Sequence, residues 1–168
     1  MKIVLTSNWR AELEMLGIYY IPENQFEKVF NLIRTGYLPV TNCSKTKSNV
    51  ERGSPKELYI SQRNQAFYKW AEHHHLAYGI LSDKYALFFH DEEQEMYDTH
   101  PSSLSDKDFE QLGKEIKRAM AKRQIKGLIF WNSSPFMSVP YFKMMKCSGE
   151  KIFYVTKLLY QTTKKGFL

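Results

Sequence analysis

Cys43-Ser44-Lys45-Thr46-Lys47 places a thiol, two hydroxyls and two ammonium groups in one short run. It closely follows Tyr37-Leu38-Pro39-Val40, an apolar stretch that reads as the end of a buried strand. Open α/β sheets bind their ligands at the carboxyl ends of strands. The group therefore reads as an anion site, with a phosphate or a nucleotide as the obvious ligand. Three more polar clusters stand in comparable places. Ser82-Asp83-Lys84-Tyr85 follows Tyr78-Gly79-Ile80-Leu81, Tyr97-Asp98 lies in a long loop over 88–104, and Asn132-Ser133-Ser134-Pro135 follows Leu128-Ile129-Phe130-Trp131. In a parallel sheet these loops leave at one edge, and several polar loops converging is what a site requires. Taken singly, each reads better as a polar turn; the four together raise the site to an equal reading.

The residue types suggest roles. Lys47 and Lys84 suit phosphate or carboxylate groups. Ser44 and Ser82 would orient a ligand by hydrogen bonds, with Ser134 as a further contact, and Tyr85 or Tyr97 would stack on a base. Asp98 is the candidate acid or base, or else caps the turn before His100-Pro101. Cys43 is the candidate nucleophile: Lys45, Lys47 and a following helix N-terminus would lower its pKa. The competing reading is a small residue packed at a strand end, since free cysteine is usually buried. His75 could serve Cys43 as a base, but nothing in the sequence brings the two together. A separate basic run holds Lys114, Lys117, Arg118 and Lys122, with Arg123 and Lys126 beyond. Much of it falls on one side of a helix, as a solvated outer face or as a line of phosphate contacts along a nucleic acid.

The elements that must position these groups alternate. Strand signals cover 2–7, 17–21, 37–42, 76–82, 127–133 and 151–158, each rich in Ile, Val, Leu, Tyr or Phe and bounded by turn formers. Helical patterns cover 23–35, with Pro22 before it and Gly36 after, then 54–74, 105–126 and a short piece over 139–145. Ser105 reads as an N-cap, with Asp106 and Asp108 in the first turn. Strand–helix alternation predicts an α/β fold, a mostly parallel sheet with helices on both faces. Residues 1–36 read as an N-terminal extension packed on a main unit over 37–168, within one compact domain. The tail from 161, with Lys164 and Lys165, reads as frayed.

Composition sets the outer limits. The chain has 168 residues, 43% hydrophobic and 25% charged, ordinary for a globular protein long enough to bury a core. No apolar run reaches the roughly 20 residues of a membrane span, and the first residues are too short in their apolar part for a signal peptide. The expected setting is cytoplasmic, without a membrane partner. Cys43 and Cys147 make no disulfide framework. His73-His74-His75 reads as a solvated helix end rather than a metal site, because adjacent positions do not share a helix face. No metal and no cofactor are expected. G-x-G-x-x-G, Walker A and H-E-x-x-H patterns are absent, which argues against a Rossmann oxidoreductase, a P-loop NTPase and a zincin. The formal charge of +6 favours a polyanionic partner.

Cys43-Ser44-Lys45-Thr46-Lys47, Glu57-Leu58-Tyr59 with Ser61, Ile80-Leu81-Ser82-Asp83-Lys84-Tyr85-Ala86-Leu87, and Met96-Tyr97-Asp98 occur in that order. The set resembles a family of small bacterial, archaeal and phage domains of unknown function related to the peroxide-stress YaaA proteins. That family's pattern is Cys-Ser-x-x-Lys, a Leu-Tyr-x-Ser helix start, Leu-Ser-x-Lys-Tyr-Gly-Leu, and Tyr-Asp. The resemblance covers about 37–158 and leaves 1–36 outside. Ala86 stands where the family usually has glycine, which argues against a left-handed backbone or a close ligand approach there. The resemblance implies a link to DNA binding and to protecting DNA under oxidative stress. The Cys-Ser-x-x-Lys motif also resembles that of the lyase domain of archaeosine synthase, which works on a modified base in transfer RNA. The expectation is thus a nucleic-acid-associated protein that binds a nucleotide or modified base at the polar edge, with base-acting lyase or glycosylase chemistry in view. The alternatives are a non-catalytic DNA-binding stress or phage-defence accessory protein, and an enzyme acting on a free nucleotide.

Overall fold

A computed structural model describes residues 2–45, 47–98 and 103–161. Its centre is a six-stranded sheet in the order β1-β8-β7-β2-β4-β5, with β1 at Ile18–Tyr20, β2 at Tyr37–Asn42, β4 at Gly79–Ser82, β5 at Ala86–Phe89, β7 at Gly127–Trp131 and β8 at Ile152–Val155. Short strands β3 (Arg52–Gly53) and β6 (Gln94–Glu95) pair antiparallel apart from it. All pairings in the large sheet are parallel except β4 with β5. Strands β4 and β7 are buried along their whole length, and β2 along all but its first residue. That is why they read as continuous apolar runs: a parallel strand is covered on both faces.

The helices supply the cover. They are α1 (Trp9–Met15), α2 (Glu27–Arg34), α3 (Pro55–Leu58), α4 (Gln62–His73), α5 (Asp106–Lys122) and α6 (Val139–Ser148). Phe26 and Phe30, at and in α2, meet Trp70 of α4 with ring centroids 6.5 and 6.1 Å apart. Adjacent residues of β7 point to opposite faces. Trp131 stacks on Phe67 of α4 at 6.0 Å, and Phe130 meets Phe142 of α6 at 5.6 Å. Helix α6 packs on α5, and a Cβ on Gly113 would stand 2.5 Å from the carbonyl carbon of Cys147, so only glycine lets the two backbones come this close. The result is an α/β protein with helices on both faces.

Chain direction explains which helix goes where. From β1 through α2 to β2, and through α3 and α4 to β4, the chain advances toward one side of the sheet. From β5 it returns through α5 to β7, on the other side of β2, and continues outward through α6 to β8. Helix α4, after β2, covers one face of β7, where Phe67 stacks on Trp131, and α6, after β7, covers the other, where Phe142 meets Phe130. The loops after β2 and β7 therefore diverge toward opposite faces, the arrangement in which strand order favours a ligand crevice between two adjacent strand ends. This is the topological switch point, where open α/β sheets bind ligands.

Several expected elements differ. Residues 2–6 form no strand; the Thr6 backbone N–H and hydroxyl both donate to the Glu12 carboxylate, at 2.7 and 2.8 Å, and lead the chain into α1. Their alternation is real, because Ile3 and Leu5 are half-buried against the core, but no neighbouring strand pairs with them. The single helix expected over 54–74 divides at Tyr59 and Ile60, where Tyr59 takes an extended conformation and Ser61 starts α4 as its N-cap. The helix expected to 126 stops at Lys122, with Gln124 at φ 59°. Strand β5 occupies part of what reads as turn and loop. Ala86 closes its turn at φ 62°, so the left-handed backbone that alanine argues against is present. Strand β1, within the stretch before residue 37, pairs with β8 from Ile18↔Ile152 to Tyr20↔Tyr154. Thr46, His100, Pro101 and the tail from 162, with Lys164 and Lys165, lie outside the described residues.

Candidate anion site at the carboxyl edge

Asn42, the last residue of β2, anchors the crevice. Its side-chain oxygen accepts from the Asn132 amide at 2.8 Å, which ties the ends of β2 and β7 together. The same oxygen accepts from the Arg63 guanidinium at 2.9 Å. Arg63 donates further to the Asn42 and Cys43 carbonyls at 3.2 and 3.1 Å and to the Thr41 hydroxyl at 3.2 Å. All of these acceptors are neutral, and among the described residues Arg63 has no carboxylate partner. Burial pushes its pKa below the ordinary range, though a guanidinium stays charged. Arg63 also sits in the first turn of α4, at the positive end of the helix dipole, with no acidic residue in that turn. A half-buried, unneutralised cation at a helix N-terminus leaves a surplus of positive potential in the crevice.

Lys47 and Lys84 join it. Their ammonium groups stand 4.8 and 5.7 Å from the centroid of one ring, that of Tyr97. Lys47 is held by a bridge to Tyr59, and neither lysine has an ion-pair partner among the described residues. Tyr97 itself is only 7% exposed. Its hydroxyl meets those of Tyr59 at 2.6 Å and Ser82 at 2.9 Å and donates to Asp83 Oδ1 at 2.8 Å. Burial, with Cys43, Tyr59 and Asp83 around it, pushes its pKa far up, so it is a neutral phenol. The ring faces serve the two lysines through cation–π contact rather than standing open to a base.

Cys43 lies below. Its Sγ is 3.5 Å from Asp83 Oδ1 and 3.3 Å from the Tyr141 hydroxyl, and it is buried. Burial first, and the Asp83 charge second, push the thiol's pKa up. This reverses the lowering expected from Lys45 and Lys47: the nearest charge is a carboxylate. Cys43 is a thiol at neutral pH, and the group in position to receive its proton is Asp83. His75 is not, since it lies at the amino end of β4, in a separate cleft of about 600 Å³ with Lys56, Tyr78 and His90.

The remaining expected residues divide. Ser82 is fully buried, and its hydroxyl accepts from the Lys84 and Tyr85 backbone N–H at 3.1 and 2.9 Å, so it builds the turn that presents Lys84. Tyr85 is half-buried and donates to the Glu95 carbonyl at 2.6 Å. Ser44 is half-buried beside Cys43. Ser134 accepts from the Met137 N–H at 3.2 Å within the loop after β7. Asp98 is exposed beside buried Tyr97. Lys114, Lys117, Arg118 and Lys122 are all exposed on α5, on the side away from Leu112, Ile116 and Met120, and form a surface apart from the crevice.

Arg63, Asp83, Asn42 and Tyr141 were not singled out from the sequence. Arg63 did leave a signal, a basic residue two places after a Ser N-cap, where the dipole disfavours it. Asp83 Oδ2 is buried without a hydrogen-bond partner among the described residues.

A model described as a family of unknown function, DUF6884, matches residues 39–139, from within β2 to the first residue of α6. The span takes in every residue of the crevice except Tyr141. It carries no link to the YaaA proteins. No curated protein matches the chain, and no solved structure does.

Proposed function

For a chain that belongs to the family of unknown function DUF6884, we propose that it binds the phosphate of a nucleotide or nucleic acid in the crevice between β2 and β7, with the base held at the same edge. One observation supports this reading: Arg63 against the end of β2, and Lys47 and Lys84 over Tyr97, have no ion-pair partner among the described residues, while the buried Asp83 carboxylate is engaged by the Tyr97 hydroxyl and the Cys43 thiol. Folding charges together costs free energy unless a counter-charge arrives, and phosphate supplies it through charge-assisted hydrogen bonds. The resemblance of the ordered motifs to the YaaA proteins and to the archaeosine lyase domain leans toward nucleic acid. Chemistry on the base, as in a lyase or glycosylase, would fall to Cys43 with Asp83 beside it. In a duplex, such a base must first be extruded.

The test is binding of labelled single-stranded DNA, duplex DNA and transfer RNA across a salt series, with free nucleotides as competitors. Wild type should bind in a salt-sensitive way, and Lys47→Ala with Lys84→Ala should weaken binding at least tenfold and flatten the salt dependence. Wild-type binding by that double variant would remove the crevice from the account.

A second reading has its own observation. Lys114, Lys117, Arg118 and Lys122 form an exposed stripe on α5 without ion-pair partners among the described residues. It suits a non-catalytic DNA-binding accessory role in stress or phage defence, in which the crevice only shapes the fold.

A further inference from the structure

Among the described residues, three aromatic side chains stand well out in solvent: Tyr19 at 41%, Tyr160 at 52% and Phe136 at 53% exposure. Two of them have ring partners. Tyr19 leans on Phe153 at 6.1 Å, and Tyr160 rests on His73 and His74 at 4.9 and 5.5 Å. Phe136 has none among the described residues, and Met137 beside it is 76% exposed. An open apolar pair of this kind adds little to the core and is free to make a contact.

The loop that carries Phe136 is hydrogen-bonded into shape. Ser134 N–H donates to Asn132 Oδ1 at 2.9 Å, Met137 N–H to Ser134 Oγ at 3.2 Å, and the Ser138 hydroxyl to the Ser134 carbonyl at 2.7 Å. Asn132 in turn donates to the same Asn42 oxygen that receives Arg63. Phe136 is four residues on from Asn132, so its Cα lies within about 14 Å of the anchor that fixes the guanidinium.

We propose that Phe136, with Met137 beside it, is the stacking platform for an unpaired base of a nucleic acid strand whose phosphates occupy the Arg63, Lys47 and Lys84 crevice. The inference rests on the anion-site reading and adds what lies next to it. Charge selects the occupant. The edge carries unneutralised cations, so an apolar face there suits a polyanion with flat faces. A second copy of this chain, itself +6, would bring like charge against it. Every base has a face that stacks on phenylalanine, so the contact is tolerant of sequence. Tyr97 cannot fill this role, being 7% exposed and covered by lysine.

The test compares wild type, Phe136→Ala, Phe136→Trp and Lys47→Ala with Lys84→Ala by fluorescence anisotropy on a short mixed-sequence single strand, each across a salt series, with the mass in solution measured for every form. Phe136 is exposed, so its replacement leaves the fold intact. The expected result is that Phe136→Ala weakens binding about tenfold or more with the salt slope unchanged, because no charge is removed. Phe136→Trp should restore affinity, and its added emission should be quenched on binding. Wild-type affinity in Phe136→Ala, while the lysine variant binds weakly, overturns the stacking platform and leaves the anion site standing. If no form binds, the anion reading fails and takes this inference with it. If Phe136→Ala instead turns a wild-type dimer into a monomer and binding is unchanged, the face is a self-interface and the inference is wrong.

Discussion

Cys43 shows how one residue's surroundings override its sequence neighbours. Lys45 and Lys47 are adjacent in the chain, yet the thiol's own environment is a buried one with the Asp83 carboxylate and the Tyr141 phenol. Its pKa is raised, burial being the first cause. The unfolded thiol titrates near its ordinary value of about 8.5. Below that pH both states hold the proton and this group leaves stability unchanged with pH. Above it the unfolded chain loses the proton and the folded one keeps it, so stability falls until the folded pKa is passed. Comparing urea unfolding at pH 7 and at pH 9.5 should therefore show a larger loss in wild type than in Cys43→Ala, with slopes differing by up to about 1.4 kcal/mol per pH unit. Parallel pH dependences in the two forms would mean that the thiol is not held protonated. The reversed pKa was not legible because Asp83 comes forty residues later and meets Cys43 only across the β2–β4 pairing. The site's lysines were legible, since both follow strand ends. Arg63 was passed over because the pattern ran one helix over 54–74 and hid its place in a first turn.

At the scale of elements, long apolar runs announced themselves and short or strained ones did not. Strand β2 over Tyr37–Asn42 has the bounds its apolar pattern predicts, and β7 and β8 fall inside theirs. The helical pattern alone ran through the break at Tyr59, because Ser61-Gln62-Arg63-Asn64 continues a plausible helical surface, although the Leu-Tyr-x-Ser motif marks a helix start there. Its reason is tertiary: the break turns Tyr59 into the hydroxyl network under Lys47. Hairpin β4–β5 was missed for a different cause. Its turn, Asp83-Lys84-Tyr85, has no glycine or asparagine, and the left-handed position falls on Ala86 at φ 62°. A Cβ in that region costs roughly 1 kcal/mol, whereas glycine adopts it freely. Ala86→Gly should consequently raise stability by about 0.5–1 kcal/mol, despite the greater entropy that glycine brings to the unfolded chain. Equilibrium denaturation reads the shift as a higher midpoint at unchanged slope. A destabilised variant would show that the alanine methyl, buried in the hairpin, contributes more by packing than the backbone loses by strain.

The whole molecule carries its +6 charge unevenly. Many cations are answered locally: Arg52 by Glu93, Lys56 by Glu72, Arg123 by Asp91 and Glu92, Lys143 by Asp106 and Lys157 by Glu23. Among the described cations with no such answer, the crevice cations and the α5 stripe are the groups at issue. They lie on different elements: the stripe is on the exposed side of α5, and the crevice cations are on α4 and the loops after β2 and β4. A mononucleotide in the crevice is too small to reach the stripe, whereas a duplex can lie across both. Each phosphate neutralised adds about 0.9 to the slope of log affinity against log salt. Replacing Lys114, Lys117, Arg118 and Lys122 by glutamine should then cut the slope for duplex DNA by three to four, about 0.9 for each charge, and leave mononucleotide competition untouched. Lys47→Ala with Lys84→Ala should do the reverse for the nucleotide, abolishing its competition while duplex DNA still binds through α5. An unchanged duplex slope in the glutamine variant would reduce the stripe to a solvated helix face and assign the protein's polyanion binding to the crevice alone. Loss of mononucleotide competition in the glutamine variant would tie the stripe to the crevice as one continuous surface, against the separation that the exposed side of α5 implies.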